Sequence, residues 1–273
     1  MLENNLNCNA PPCRRPALNT EYRHCALVTK LLLYISCQCI MLTIKQVAMK
    51  TIAIVSDKGG AGKTIVSVNL AVAAERHGLA TVIFDFDPRA NSAVWGDARP
   101  DKIPEVIPAQ APRLAVLLEQ AKKNDAALVV LDTPGNALGI AEAVCPQADL
   151  ILIPCRPFPP DLLSIVPTVR IALRSGKPTF VLLNAAPVQG PEVEEAISAI
   201  GRAQVGVCPV VLYNRKSYAS RFHQGLTAYE ADPRGKAVKE LQALFMWACQ
   251  ETGLSIEQHD NKATPQLVAE VQG

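Results

Sequence analysis

The sequence has 273 residues, 49% of them apolar and 19% charged. That composition excludes disorder as the bulk state and supports one sizeable α/β domain or two small ones. A formal net charge of +2 is too small to mark a dedicated nucleic-acid domain, so any DNA binding must come from a local patch or from dimerisation doubling a weak one.

From Met1 to about Ala48 the chain has no clear period and few acidic residues. Its apolar stretch from Ala26 to Ile44 is interrupted by Lys30 and lacks a clean small-residue cleavage site, which argues against a signal or membrane segment. Met49 and Lys50 abut a buried strand, so the core needs nothing before them. Residues 1–48 are therefore expected to be a poorly ordered extension, or sequence upstream of a native start at Met49. Five of the nine cysteines fall here. An odd count without regular spacing argues against a disulfide framework, and the four scattered later cysteines suit a reducing cytosol. Cys37 and Cys39 have no His or second Cys pair at metal-site spacing.

The main domain is expected over 49–250, with a polar tail over 251–273. The run Thr51 to Val55 is apolar and β-branched, the pattern of a buried parallel strand. A glycine loop follows, then a helix over about 64–76 stopped by Gly78. Residues 81–84 read as a second strand ending at Asp85. Residues 97–112, proline-bearing and charged, read as a surface excursion. A helix over 112–123 buries Leu114, Leu117, Leu118 and Ala121 on one face. Further strands are expected at 127–131, 150–153, 179–183 and 205–211, with helices near 160–174, 191–203 and 234–250. Strands alternating with helices imply a mostly parallel, doubly wound sheet with helices on both faces. Ligands then sit at the carboxyl ends of the strands.

Three segments converge on that edge. The first, Lys58-Gly59-Gly60-Ala61-Gly62-Lys63-Thr64, lies between strand and helix as a phosphate loop must. Its glycines let backbone N–H groups face a phosphate, Lys63 can reach the outer phosphates, and the Thr64 hydroxyl can hold Mg²⁺. Asp57 stands where the common loop pattern begins with glycine. The second segment, Asp85-Phe86-Asp87-Pro88, offers two carboxylates that point opposite ways if the strand persists. Asp87 is then placed to orient an attacking water, and Asp85 either joins the metal shell or caps a turn. In the third, Asp132-Thr133-Pro134-Gly135, Asp132 can orient Mg²⁺ through water and Gly135 can present an N–H to the γ-phosphate.

Together these segments resemble the ParA/MinD family of deviant Walker-A ATPases, most closely its small plasmid-partition ParA members. The resemblance runs from Met49 to about Gln250. It also takes in Asn91-Ser92, Trp95 and the late stretch Tyr229 to Ala237. It implies a P-loop NTPase fold, ATP and Mg²⁺ as ligands, and ATP hydrolysis in the cytoplasm at the nucleoid. Residues 59–65, ending at Ile65, would wrap the nucleotide. Lys58 corresponds to the signature lysine that crosses to the partner's ATP in an ATP-dependent homodimer. Non-specific DNA and a ParB-like adaptor are the implied partners. Asn184 fits an adenine-contacting position or an ordinary turn. Arg89 replaces the family's usual glutamine, which adds a cation near the hydrolysis site.

The tail after Gln250 is polar and partly acidic, a poor membrane anchor, so no membrane partner is expected. Candidate DNA phosphate contacts are Arg170, Arg174 and Lys177, and separately Arg215, Lys216, Arg221, Arg234, Lys236 and Lys239. The leading reading is a plasmid or chromosome partition ATPase. Alternatives are a ParA-like accessory of conjugative DNA transfer and a positioning ATPase for a protein cargo. A ligase or reductase of the wider family is disfavoured, because the segment from Asp132 to Gly135 has no cysteine for an interfacial iron–sulfur cluster.

Overall fold

The computed structural model describes residues 48–256. The expectations for 1–47 and for the tail beyond 256 lie outside the described residues. The strands, in chain order, are β1 (Lys50–Ile54), β2 (Thr81–Asp85), β3 (Glu105–Pro108), β4 (Leu128–Asp132), β5 (Leu150–Cys155), β6 (Thr179–Ala186), β7 (Gly206–Val207) and β8 (Leu212–Tyr213). The helices are α1 (Lys63–Arg76), α2 (Asn91–Ala98), α3 (Leu114–Lys123), α4 (Leu138–Val144), α5 (Pro159–Ser164), α6 (Val166–Arg174), α7 (Glu192–Gly201), α8 (Ala228–Ala231) and α9 (Lys236–Thr252).

Every strand pairing is parallel, in the order β3-β2-β4-β1-β5-β6-β7, with β8 beside the far end of β6. Strands β2 to β4 lie to one side of β1 and β5 to β8 to the other. The loop after β1 therefore opens at the point where the winding reverses, the usual ligand crevice of such sheets.

The two faces of the sheet follow the period of two. Ile52, Ile54, Ile83, Val130 and Leu152 pack on one side with α1 and α9. Ala53, Val55, Phe84, Leu131 and Ile153 pack on the other with α3, α6 and α7. Helix α1 is buried nearly all round, which explains why no single apolar stripe marks it in sequence. Gly78 ends it as expected. With φ +75°, its N–H donates to Glu75 O and that of Leu79 to Ala74 O, the paired bonds of a left-handed helix stop.

Two expectations need correction. Residues 97–112 are not merely a surface excursion, because β3 extends the sheet beside β2 with Asp85 opposite Pro108. The strand expected over 205–211 is two short pieces, both parallel to β6.

Candidate functional site

In-register pairing builds the site. Ile54 and Asp85 both lie opposite Asp132 on the central strands. Both Asp85 and Asp132 thus end on the α1 side of the sheet, beside the loop that leaves β1. Phe86 N donates to Asp132 O at 2.9 Å and keeps the two strand ends together.

The loop itself is pinned from several sides. Gly60 and Gly62 take φ of +76° and +90°, conformations only glycine adopts cheaply. Lys63 opens α1 and turns back under the loop, where its Nζ donates to Ser56 O at 2.9 Å and Lys58 O at 3.0 Å. Asn184 Nδ2 donates to Ala61 O at 2.8 Å, and a Cβ on Gly62 would fall 2.2 Å from that nitrogen. A Cβ on Gly135 would fall 3.0 Å from Gly59 N, so this glycine permits the β4 loop to touch the phosphate loop. Asn136 N donates to Asp57 O in the same contact. By contrast, a Cβ on Gly59 or Gly60 would meet nothing within 4 Å, so this side of the loop is open to a ligand.

Asp132 is fully buried. Its Oδ1 accepts Ser67 Oγ at 3.0 Å and its Oδ2 accepts the Ser92 hydroxyl. Burial pushes its carboxyl up to about 6; the charge of Asp85 adds to that, and the hydroxyls of Ser92, Thr64 and Ser67 oppose it. Burial also lowers the Lys63 ammonium from its ordinary value, against the pull of Asp132, Asp87 and Asp57. Lysine and carboxylates therefore face one another at one strand edge.

Both aspartates of the second segment are engaged locally. Asp85 Oδ1 accepts Asp87 N at 2.9 Å and Oδ2 accepts Ala93 N at 3.0 Å. Both oxygens anchor the turn and the start of α2, so Asp85 caps rather than offering a free ligand to Mg²⁺. Strand β2 stops at Asp85, so the alternating-pleat argument does not reach Asp87. The Asp87 carboxylate instead folds over its own turn and accepts Arg89 N at 2.9 Å, as aspartates in such turns do.

Lys58 sits on the lip. Its Nζ lies 2.7 Å from Asp161 Oδ1 on α5, close enough for an ion pair although not aligned as a hydrogen bond. Arg156, just past β5, donates to Gly60 O at 3.3 Å, and the Thr168 hydroxyl oxygen on α6 accepts the Asp57 N–H at 3.0 Å. Sequence reasoning missed Asp161, Thr168 and Ser67. Only Ser67 left a signal, since it follows Thr64 by three residues on α1 and so shares its face.

The basic residues split into two groups. Arg170 and Arg174 lie on α6 and Lys177 follows it, on the side of the sheet opposite α9. Arg215 is taken up by Glu240, whose Oε1 lies 2.7 Å from Nε and 2.6 Å from Nη2. Lys216, Arg221, Arg234, Lys236 and Lys239 are exposed, and Lys216 and Lys236 line one groove with Ser217 and Ser220. Among the described residues no helix is long and apolar enough to cross a membrane.

A family model described as the CobQ/CobB/MinD/ParA nucleotide binding domain matches residues 52–227. The chain belongs to this family. Its region of match begins in β1 and includes the phosphate loop, Asp85, Asp132 and Asn184. Among relatives of the ParA/MinD type, Maintenance of carboxysome distribution protein A from Gloeobacter kilaueensis is 30% identical over 210 residues, 74% of this chain and 93% of that protein. Protein ParA from Rhizobium radiobacter is 32% identical over 112 residues, 40% of this chain but only 50% of that protein. The fold is that of the septum site-determining protein MinD from Pyrococcus horikoshii, solved with Mg-ADP, at a TM-score of 0.60 and 17% identity over 75% of this chain and 98% of that one.

Proposed function

We propose that this ParA/MinD-family chain is a Mg²⁺-dependent ATPase that distributes a cargo by cycling between nucleotide-bound dimer and released states. The observation that carries the reading is the meeting of Lys63, the open glycine loop and the buried Asp132 at one strand edge. The Thr64 hydroxyl would hold Mg²⁺ directly, and Asp132, both of whose oxygens accept serine hydroxyls, would act on it through water, a set that suits an ion that binds through few protein oxygens plus waters and substrate phosphates. When bound, Mg²⁺ would neutralise charge on the phosphates. Backbone amides of residues 59–64 and the N-terminus of α1 hold the phosphate chain. Lys63 offsets its charge, and Asp87, whose Oδ1 is held by the Arg89 N–H, orients the attacking water with its other oxygen. Lys58, on the lip, serves a partner's nucleotide, and the Gly135 N–H would meet the γ-phosphate.

The cargo reading favoured by the carboxysome-distribution relative, whose match spans most of that protein, is a protein assembly carried over DNA. The exposed cations Lys216, Arg221, Arg234, Lys236 and Lys239 would supply the salt-sensitive DNA contacts. A second reading, partition of plasmid or chromosomal DNA with a ParB-like adaptor, is favoured by the match to Protein ParA. Turnover of ATP tests the shared core of both. Lys63→Ala should lose at least ~100-fold in turnover, the scale of removing one preorganised charge from such a site. Unchanged turnover would remove the assignment. Duplex DNA should stimulate the unmodified protein and not Lys63→Ala.

A further inference from the structure

Three residues of the α2 region are buried. Ser92 and Trp95, at i and i+3, share one face of α2, and Arg99 follows as its C-cap in extended backbone, with its N–H bonded to Gly96 O. Each meets a different part of the molecule. The Ser92 hydroxyl bonds to Asp132 in the site. Trp95 is completely buried, and its Nε1 donates to Leu226 O at 3.5 Å. Arg99, only 6% exposed, donates from Nη1 to Gly225 O at 3.0 Å and from Nη2 to Glu230 Oε1 at 3.0 Å. Its Nε also meets Ile103 O and Asp101, and its guanidinium lies 5.1 Å from the centre of the Trp95 ring. An arginine this buried persists only when paired, because losing its partner strands a charge away from water.

The segment Arg99 grips is held on its other side by α1. Asn69 Oδ1 accepts Ala228 N at 3.1 Å, and the Arg76 guanidinium lies 5.2 Å from the Tyr229 ring centre. Gly225 takes φ +71°, and a Cβ there would fall 2.3 Å from the Arg99 backbone, so the two backbones run in direct contact. The second Glu230 oxygen accepts Thr227 N at 2.8 Å and fixes the first turn of α8. Residues 225–231 are thus clamped between the helix that starts at the phosphate loop and the helix that starts at Asp85 and Asp132. On either side in sequence lie the exposed cations, Lys216 and Arg221 before, Arg234, Lys236 and Lys239 after.

We infer that Arg99 is a positioning residue that couples the nucleotide site to this basic segment through its ion pair with Glu230. Helix α2 spans about 12 Å, at 1.5 Å per residue, and links the two ends rigidly. A shift of the Asp85–Ser92–Asp132 end moves Gly225 to Ala231 at the other. By thermodynamic reciprocity, a polyanion on the basic segment changes nucleotide affinity by the same factor. The inference rests on the proposed ATP-switched DNA binding.

The test uses the full chain, a fluorescent DNA duplex at fixed low salt, and Mg²⁺ with either ADP or a non-hydrolysable ATP analogue. Unmodified protein is expected to bind the duplex at least ~10-fold more tightly with the analogue, within the usual range of site-to-site coupling. In Arg99→Lys and Glu230→Gln, nucleotide affinity without DNA should stay within about twofold while that ratio falls toward one. The double variant should show no further loss, since both changes break the same link. If the unmodified protein shows no ratio, the switching function fails and the coupling with it. If it shows the ratio and both folded variants keep it, the coupling alone is wrong. Should Arg99→Lys not fold, Glu230→Gln decides, because its amide oxygen can still accept from Thr227.

Discussion

Lys58 and Asp161 face each other at 2.7 Å within one chain. The lysine assigned to a partner's nucleotide is therefore engaged at home, by a carboxylate on α5. The pair is partly solvent-exposed on the lysine side, so it adds little to stability, at most about 1 kcal/mol. Its consequence is for availability instead. A lysine released from Asp161 can extend from the lip without first breaking an ion pair.

The Asp161→Asn variant should accordingly raise ATP turnover measured without DNA or adaptor by severalfold, with a melting temperature close to the parent's. Lys58→Ala should lower stimulated turnover in either background. Basal turnover identical in Asp161→Asn and the unmodified chain would show that the ion pair does not restrain Lys58.

Asp132 gives the clearest pH dependence. Its carboxyl titrates at about 6 in the folded protein against an ordinary 3.8, because burial disfavours the charge. The folded state thus holds this proton more tightly than the unfolded chain. The stability it contributes is full below pH 3.8 and is lost as the pH rises from there through 6. The loss is on the order of 3 kcal/mol at 1.36 kcal/mol per pH unit. Asparagine keeps an oxygen to accept one serine hydroxyl and carries no charge. Asp132→Asn should therefore be more stable than the parent at pH 8 by up to that amount, and about equal to it at pH 4. Denaturant midpoints at the two pH values check this; an equal difference at both would refute the desolvation account.

The sequence showed the sheet and the phosphate loop because they rest on local patterns, β-branched runs and a glycine string. Helix α2 and strand β3 were hidden for a physical reason. Within α2 only Ser92 and Trp95 are buried, too few to print a period, and β3 is a four-residue edge strand that follows Pro104 and ends in Pro108. The role of Asp85 turns on where the Ala93 amide ends up, which no spacing rule gives. Asp161 and Arg99 were equally invisible, since their partners Lys58 and Glu230 lie far away along the chain. Asn184 was marked by its place at a strand end, but its bond to Ala61 O depends on how the loop folds back.

That last contact can be separated from backbone strain. Gly62→Ala would put a methyl 2.2 Å from Asn184 Nδ2 at a residue with φ +90°, so both a clash and a left-handed alanine are imposed. Gly78→Ala imposes only the second, since its Cβ would meet nothing within 4 Å at φ +75°. The strain alone costs about 1–2 kcal/mol. Gly62→Ala should weaken nucleotide binding by at least ~10-fold, equivalent to 1.4 kcal/mol, whereas Gly78→Ala should lower stability and leave nucleotide affinity alone. Adding Asn184→Ala to Gly62→Ala removes the clash but not the strain, so the double variant should recover part of the lost affinity. Nucleotide titrations of the three single variants and the double would show it. If Asn184→Ala worsened Gly62→Ala additively, the asparagine would be acting on the nucleotide and not as a clamp on the loop.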